Sequence, residues 1–262
     1  MLYAAVFAKN LKQQLMYRSE FVLSAVGSLL FVYVQVAIWR ALLGQGAVDT
    51  PFTLNIMVAY IIAAFVLRRA SRTYFPRAYA EKVNRGDIAI DLVRPVNVKN
   101  MMLSEQASEN LCVVVFSCVP VAIISGFVWG FQLMAGPALL GLFVVSFFLA
   151  IALRFYVEYI FGMLVFWVRS EVYPRQLCEG LMLVFSGAAV PLWFYPDWLR
   201  AIGMFLPFGL MAFEPIQIFL ATVSVGGALM ILARQVLWLG ILWLIERFVW
   251  GRIKNNVFVQ GG

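Results

Sequence analysis

Histidine is absent from the 262 residues of the chain. Without an imidazole, Ser-His-Asp and Cys-His nucleophiles, His-ligated zinc and imidazole proton relays are excluded. Cysteine is scarce: Cys112, Cys118 and Cys178 are the only three. The first two share one apolar segment at a spacing that puts them on different helix faces. They read as small apolar residues, not as a disulfide framework or a metal site. Charge is thin as well, at 13% of residues, against about a quarter in a soluble domain. Apolar types fill the gap, reaching 63% with a mean hydropathy of +0.89. A domain of this size has too little interior to hide so much apolar surface, so the excess must face lipid. The sequence also lacks a G-x-x-x-x-G-K-[ST] phosphate loop and even a single Gly-Lys pair. No clustered carboxylates stand in the apolar segments, which removes the acid-base and metal equipment of a membrane-embedded lipid enzyme. We expect no catalytic residues, no metal and no cofactor bound by this chain.

What is present are long apolar runs, from which we expect an all-α integral membrane protein of six transmembrane helices in a single domain, residues 1–262. Residues 21–39 are uncharged, about 28 Å as a helix, and place span 1 at Phe21 to Leu43. Span 2 is expected at Phe52 to Leu67. The run from Leu111 to Leu153 is 43 residues without charge, about 65 Å as one helix and roughly twice a bilayer core. It must fold back, and Gly130, Gly136 and Pro137 mark the break. Span 3 is then Leu111 to Phe131 and span 4 Ala138 to Trp167. Span 5 is expected at Gly180 to Trp193 and the last at Ala228 to Trp250. Between those two, residues 191–227 are broken by Pro191, Pro196, Pro207 and Pro215, and read as a re-entrant or interfacial segment.

Charge sets the orientation. With six spans and both termini cytoplasmic, 16 of the 20 Lys and Arg fall on the inner side, in accord with the positive-inside tendency. A seventh crossing would carry the basic tail outside. The net charge of +7 is then explained by anionic lipid headgroups, with no nucleic acid implied. Trp39, Trp129, Trp193 and Trp198 read as an outer interfacial belt, Trp167 and Trp250 as an inner one. At the start, Tyr3, Phe7, Leu11 and Leu15 recur every four residues, so residues 1–18 are expected as an amphipathic helix at the inner headgroups.

The largest cytoplasmic element is residues 68–109. A helical run there ends at Asn84, Arg85 and Gly86, with Gly86 suited to a C-cap. Ile88, Ile90 and Leu92 follow, flanked by Asp87, Asp91 and Arg94, a pattern suited to a docking surface. The run from Gly86 to Pro95, GDIAIDLVRP, resembles the cytoplasmic signature of one branch of the ABC-2 export permeases of ATP-binding-cassette transporters, the branch of multidrug- and viologen-type exporters. The stretch from Ser186 to Leu199, the Leu206-Pro207-Phe208 that follows and the closing Val259-Gln260-Gly261-Gly262 are also similar to that branch. The resemblance implies a pore subunit in the bacterial cytoplasmic membrane that exports a hydrophobic or amphiphilic substrate. It implies an ABC ATPase dimer, with ATP and Mg on those partner subunits, docked at residues 68–109. Arg85, Gly86, Asp87, Ile88, Asp91, Leu92 and Arg94 would carry the ATPase stroke. A second permease, a paralogue or another copy, would complete a twelve-span core.

Within the spans, Arg154 and Glu158 stand one turn apart and can pair. Intramembrane charges are functional candidates by default. A structural lock is one reading; the other is a cavity in which Glu158, walled by Phe155 and Tyr159, meets a lipophilic cation. Glu158 as the ion site of a gradient-driven carrier is a third, although no internal repeat supports it. Arg234, near the outer end of the last span, is expected to snorkel to headgroups or to meet Glu214.

Overall fold

In the computed structural model, residues 2–16, 18–44, 52–71, 98–130, 134–168, 170 and 172–257 are described, and among them there is no strand. Helix α1 (Leu2–Met16) precedes α2 (Arg18–Gly44) and α3 (Leu54–Ala70). Helix α4 (Val98–Val113) runs through a widened π turn (Val114–Cys118) into α5 (Val119–Trp129). Then come α6 (Pro137–Met163), a one-turn α7 (Val165–Val168) and α8 (Val172–Phe185). Two short helices, α9 (Asp197–Phe205) and α10 (Phe213–Phe219), lead to the long α11 (Val225–Val257).

The fold-back falls where glycine and proline demand it. Helix α5 ends on Gly130, which adopts φ +76°, a left-handed cap that suits a residue without Cβ. Pro137 opens α6 as its first residue, where a missing N–H costs nothing. The π turn has a related cause. Pro120 can neither donate to the carbonyl four residues back nor avoid crowding it, and one extra residue in the preceding turn absorbs the conflict.

Among the described residues, four stretches are long and apolar enough to cross a bilayer: Leu23–Gly44, Lys99–Trp129, Pro137–Val168 and Val225–Ile253. Helix α3, with 17 residues, is about 26 Å long, and its middle is buried on every side from Met57 to Phe65. The fifth expected span needs a correction. Helix α8 covers Val172–Phe185, 14 residues or about 21 Å, and the chain leaves the helix at Ser186, so Gly180 to Trp193 is not one helix. Between 191 and 224 the longest helix is the nine-residue α9, about 14 Å and far short of a crossing. That segment turns back into the protein: Leu206 is half-buried, and Pro207 through Ile216 are all buried.

The amphipathic stripe on α1 is real but faces protein. Tyr3, Phe7, Leu11 and Leu15 are half-buried while Lys9 and Lys12 are exposed, and α1 packs along α4 with Asn10 Nδ2 donating to the Glu105 carbonyl at 3.1 Å. The first turn of α4 reaches α11 through Lys99 and Glu246, 3.3 Å apart. The amino-terminal helix and the carboxy-terminal end of α11 therefore lie at the same end of the bundle.

At the opposite end an aromatic knot holds the turned-back segment. Tyr60, fully buried on α3, donates its hydroxyl to the Gly187 carbonyl at 2.6 Å, and the Phe213 N–H donates to the Ser186 carbonyl at 3.0 Å. Trp193 stacks on Phe52 at 4.3 Å and meets Phe213 edge-on at 5.1 Å. Gly187 sits at φ +74°, and a Cβ there would stand 2.8 Å from Phe213 Cβ. Gly187→Ala is therefore expected to cost about 2 kcal/mol, from left-handed strain and overpacking together. In Gly141→Ala, where nothing lies within 4 Å, the change should be within about 0.5 kcal/mol. Thermal unfolding of the detergent-solubilised protein, followed by tryptophan fluorescence, checks both.

Candidate functional site

Among the described residues, three charged clusters tie the helices together, and a cavity adjoins one of them. On α6, Arg154 Nε donates to Glu158 Oε1 at 2.6 Å, realising the spacing of one turn. The same guanidinium reaches across to the end of α3, donating through Nη1 to the Arg68 carbonyl at 2.9 Å and to Ser71 Oγ at 3.2 Å. The last carbonyls of a helix carry partial negative charge and lack intrahelical donors, so a guanidinium there satisfies both needs. Arg154 thus binds one side chain of its own helix and the terminus of another. Both partners of the pair are largely shielded, at 14% and 9% side-chain exposure.

The second cluster joins the turned-back segment to α11. Arg234 Nη1 donates to Glu214 Oε2 at 2.7 Å and Nη2 donates to the Met204 carbonyl. Beside it, Gln235 is wholly buried; its Nε2 donates to the carbonyls of Ser146, at 3.1 Å, and Leu210, at 2.9 Å, while Ser146 Oγ donates to its Oε1 at 3.0 Å. The third cluster is Lys99 with Glu246. The Lys99 ammonium also lies 5.2 Å from the centre of the Tyr156 ring on α6.

The cavity, about 530 Å³, lies between the end of α3, α6, α8 and the 3-10 turn Gly209–Met211. Arg68, Arg69, Arg154 and Glu179 are charged members of its lining, and Met182, Leu183, Ala188 and Met211 are apolar ones. Gln176, Glu179, Gly180 and Leu183 are exposed on α8, giving the cavity an open flank.

The sequence-derived candidates are distributed unevenly over this frame. Arg154 lines the cavity and holds Glu158. Phe155 and Tyr159 do not belong to its wall; they are buried together, rings stacked at 5.8 Å, against Met102, Met163 and Ile253. Arg85, Gly86, Asp87, Ile88, Asp91, Leu92 and Arg94 lie outside the described residues, as does the closing Val259-Gln260-Gly261-Gly262. The partners of Arg234 include the expected Glu214. Sequence reasoning missed Arg68, Arg69 and Glu179 as neighbours of Arg154, because they come from helices whose packing no pattern reveals. It also missed Gln235 and Glu246, although polar residues inside an apolar span are themselves a signal.

All three cysteines are free and buried. Among the described residues, no group of His, Cys, Asp and Glu has the makings of a metal site.

Four apolar helices of crossing length among the described residues define a multi-pass helical membrane protein. A family model described as ABC-2 family transporter protein matches residues 29–255. The chain belongs to that family, and it is a membrane transport permease. Permeases of the family typically work with ATPase partners. No curated protein matches the sequence.

Proposed function

We propose that the chain is the permease subunit of an ATP-driven exporter for a hydrophobic or amphiphilic substrate. In this reading α2, α3, α4–α5, α6–α7, α8 and α11 are six spans, with both termini and residues 68–109 on the cytoplasmic face of a bacterial inner membrane. A second permease, a paralogue or another copy, completes a twelve-span core, and a separate ATPase dimer binds and hydrolyses ATP with Mg.

The observation that carries the reading is where the two ends of the coupling segment attach. At its start, Arg68 and Ser71 are held by Arg154; toward its end, Lys99 lies over Tyr156 and binds Glu246. Both ends are thus fastened to the same two turns of α6, with a branch to α11. A push on residues between them has a direct path into two membrane helices. The absent phosphate loop supports a motor on another chain. The gradient-driven alternative requires Glu158 to accept an external ion, and Arg154 already occupies its carboxylate at 2.6 Å.

The test is co-expression with the ATPase that co-purifies, followed by ATP hydrolysis and export from proteoliposomes. Reversal of Asp87 or Asp91 to Lys is expected to remove permease-stimulated hydrolysis while insertion into the membrane stays normal. Stimulation at the wild-type level in both variants, or transport that collapses with an uncoupler despite intact ATP, would sink the proposal.

A further inference from the structure

Glu214 stands on α10, in the turned-back segment, and is 1% exposed. Arg234 Nη1 holds its Oε2 at 2.7 Å, while Oε1 is buried with no hydrogen-bond partner among the described residues. The pair is unevenly shielded, the Arg234 side chain 29% exposed and that of Glu214 1%. The desolvation cost of the ion pair therefore falls mainly on Glu214, which sheds it by taking a proton. Burial pushes the Glu214 carboxyl up from 4.5 to about 7, outweighing the charge and hydrogen bond of Arg234, which pull it down. The elements packed on α10 commit their other ionisable groups elsewhere. Tyr60 of α3 donates to the Gly187 carbonyl, Arg154 and Glu158 of α6 pair at the end of α3, and Glu246 of α11 binds Lys99. On α6, Tyr156 also lies beside Lys99 and Tyr159 stacks on Phe155; the 3-10 turn Gly209–Met211 has no titratable side chain. On α9, Asp197 and Arg200 bind each other at 2.9 Å. Between α10 and α11, Ala221 is exposed and held at φ +52°. That left-handed conformation is strained for a residue with a Cβ, so the junction relaxes when α10 moves away from α11.

We infer that Glu214 is a proton-linked latch: it takes a proton from water as α9 and α10 seat on α11, and returns it to water as they open. The proton bonds to Oε1, the oxygen without a partner, while Oε2 stays on Arg234. A neutral carboxyl costs little to bury and a carboxylate much more, so ionisation favours the open segment. With the segment seated, the carboxyl keeps its proton up to about pH 7; exposed to water, it keeps it only up to about 4.5. Opening therefore releases a proton between those values, and rising pH across that window favours the open form. Above the window both forms are ionised and below it neither is, so the dependence stops at each end. In the proposed orientation α9 and α10 lie on the outer side, and the latch responds to the pH there. The linkage itself does not rest on the permease reading, because it needs only this chain.

The experiment uses the full-length protein in nanodiscs. Hydrogen exchange of residues 197–219, corrected for the intrinsic effect of pH on exchange, should show protection falling about tenfold or more from about pH 5.5 to about pH 8. Residues of α6 should keep theirs. In Glu214→Gln, a neutral side chain of the same size that still offers Arg234 an oxygen, the fall should vanish. Infrared spectra of the same samples give a readout that needs no variant: a protonated-carboxyl band present at the acid end and lost with a midpoint near 7. That band should be missing from Glu214→Gln, and if the variant does not fold, the two wild-type measurements decide. Protection at 197–219 that ignores pH, an equal fall in Glu214→Gln or across α6, or wild-type carboxyls all ionised by about pH 5.5, overturns the inference.

Discussion

Arg154→Gln is expected to destabilise the protein by about 3–5 kcal/mol, the cost of removing one partner of a buried ion pair. Three losses add up. Glu158, at 9% side-chain exposure, loses the guanidinium 2.6 Å away, and the Arg68 carbonyl and Ser71 Oγ lose their donor. Removal of both charges in Arg154→Gln/Glu158→Gln should recover much of the loss, because a shielded carboxylate that loses its 2.6 Å guanidinium costs more than the pair itself contributes. Unfolding midpoints of the four species in one detergent give the cycle. A double variant no more stable than Arg154→Gln would show that the α3 terminus, and not Glu158, is what Arg154 chiefly serves. In either case hydrogen exchange should rise first at the end of α3, the helix terminus that the side chain holds.

How much of this was readable in the sequence depended on whether the signal was local. The fold-back at Gly130 and Pro137 was legible because a left-handed cap and a first-turn proline are backbone demands that few other residues meet. The pairing of Arg154 with Glu158 was legible because helical spacing alone sets it. The fifth span was misplaced for a physical reason. From Gly180 to Pro196 no charge interrupts the chain, and hydropathy does not distinguish an apolar helix from an apolar turn buried under one. In the structure Ser186 and Gly187 are such a turn, held by Phe213 and Tyr60. The tryptophans divide likewise. Trp198 and Trp167 are exposed, at 66% and 45%, as an interfacial belt requires, whereas Trp39 is buried at 6% beside Phe194 and Trp193 joins the aromatic knot. The arginine-lined cavity was not legible at all. Its charges come from α3, α6 and α8, and only packing brings them together.

Arg234→Gln is expected to be as severe, again about 3–5 kcal/mol, yet to loosen a different part of the molecule. Glu214 is 1% exposed, its Oε2 is held by Arg234 at 2.7 Å, and its Oε1 is buried with no partner among the described residues. The carboxylate therefore depends on this guanidinium more heavily than Glu158 does on Arg154. Arg234→Lys should be intermediate, because an ammonium keeps the charge but lacks the planar fork that reaches both Glu214 and the Met204 carbonyl. Adding Glu214→Gln to Arg234→Gln should restore most of the stability. The locality follows from connectivity: Met204 is on α9 and Glu214 on α10, so Arg234 ties both short helices to α11. Hydrogen exchange is expected to rise across residues 197–219 while α6 keeps its protection through Ser146 and Gln235. Uniform loss of protection through α6 and α11 would show instead that the turned-back segment and the spans unfold as one unit, and that the segment is part of the core and not a piece docked upon it.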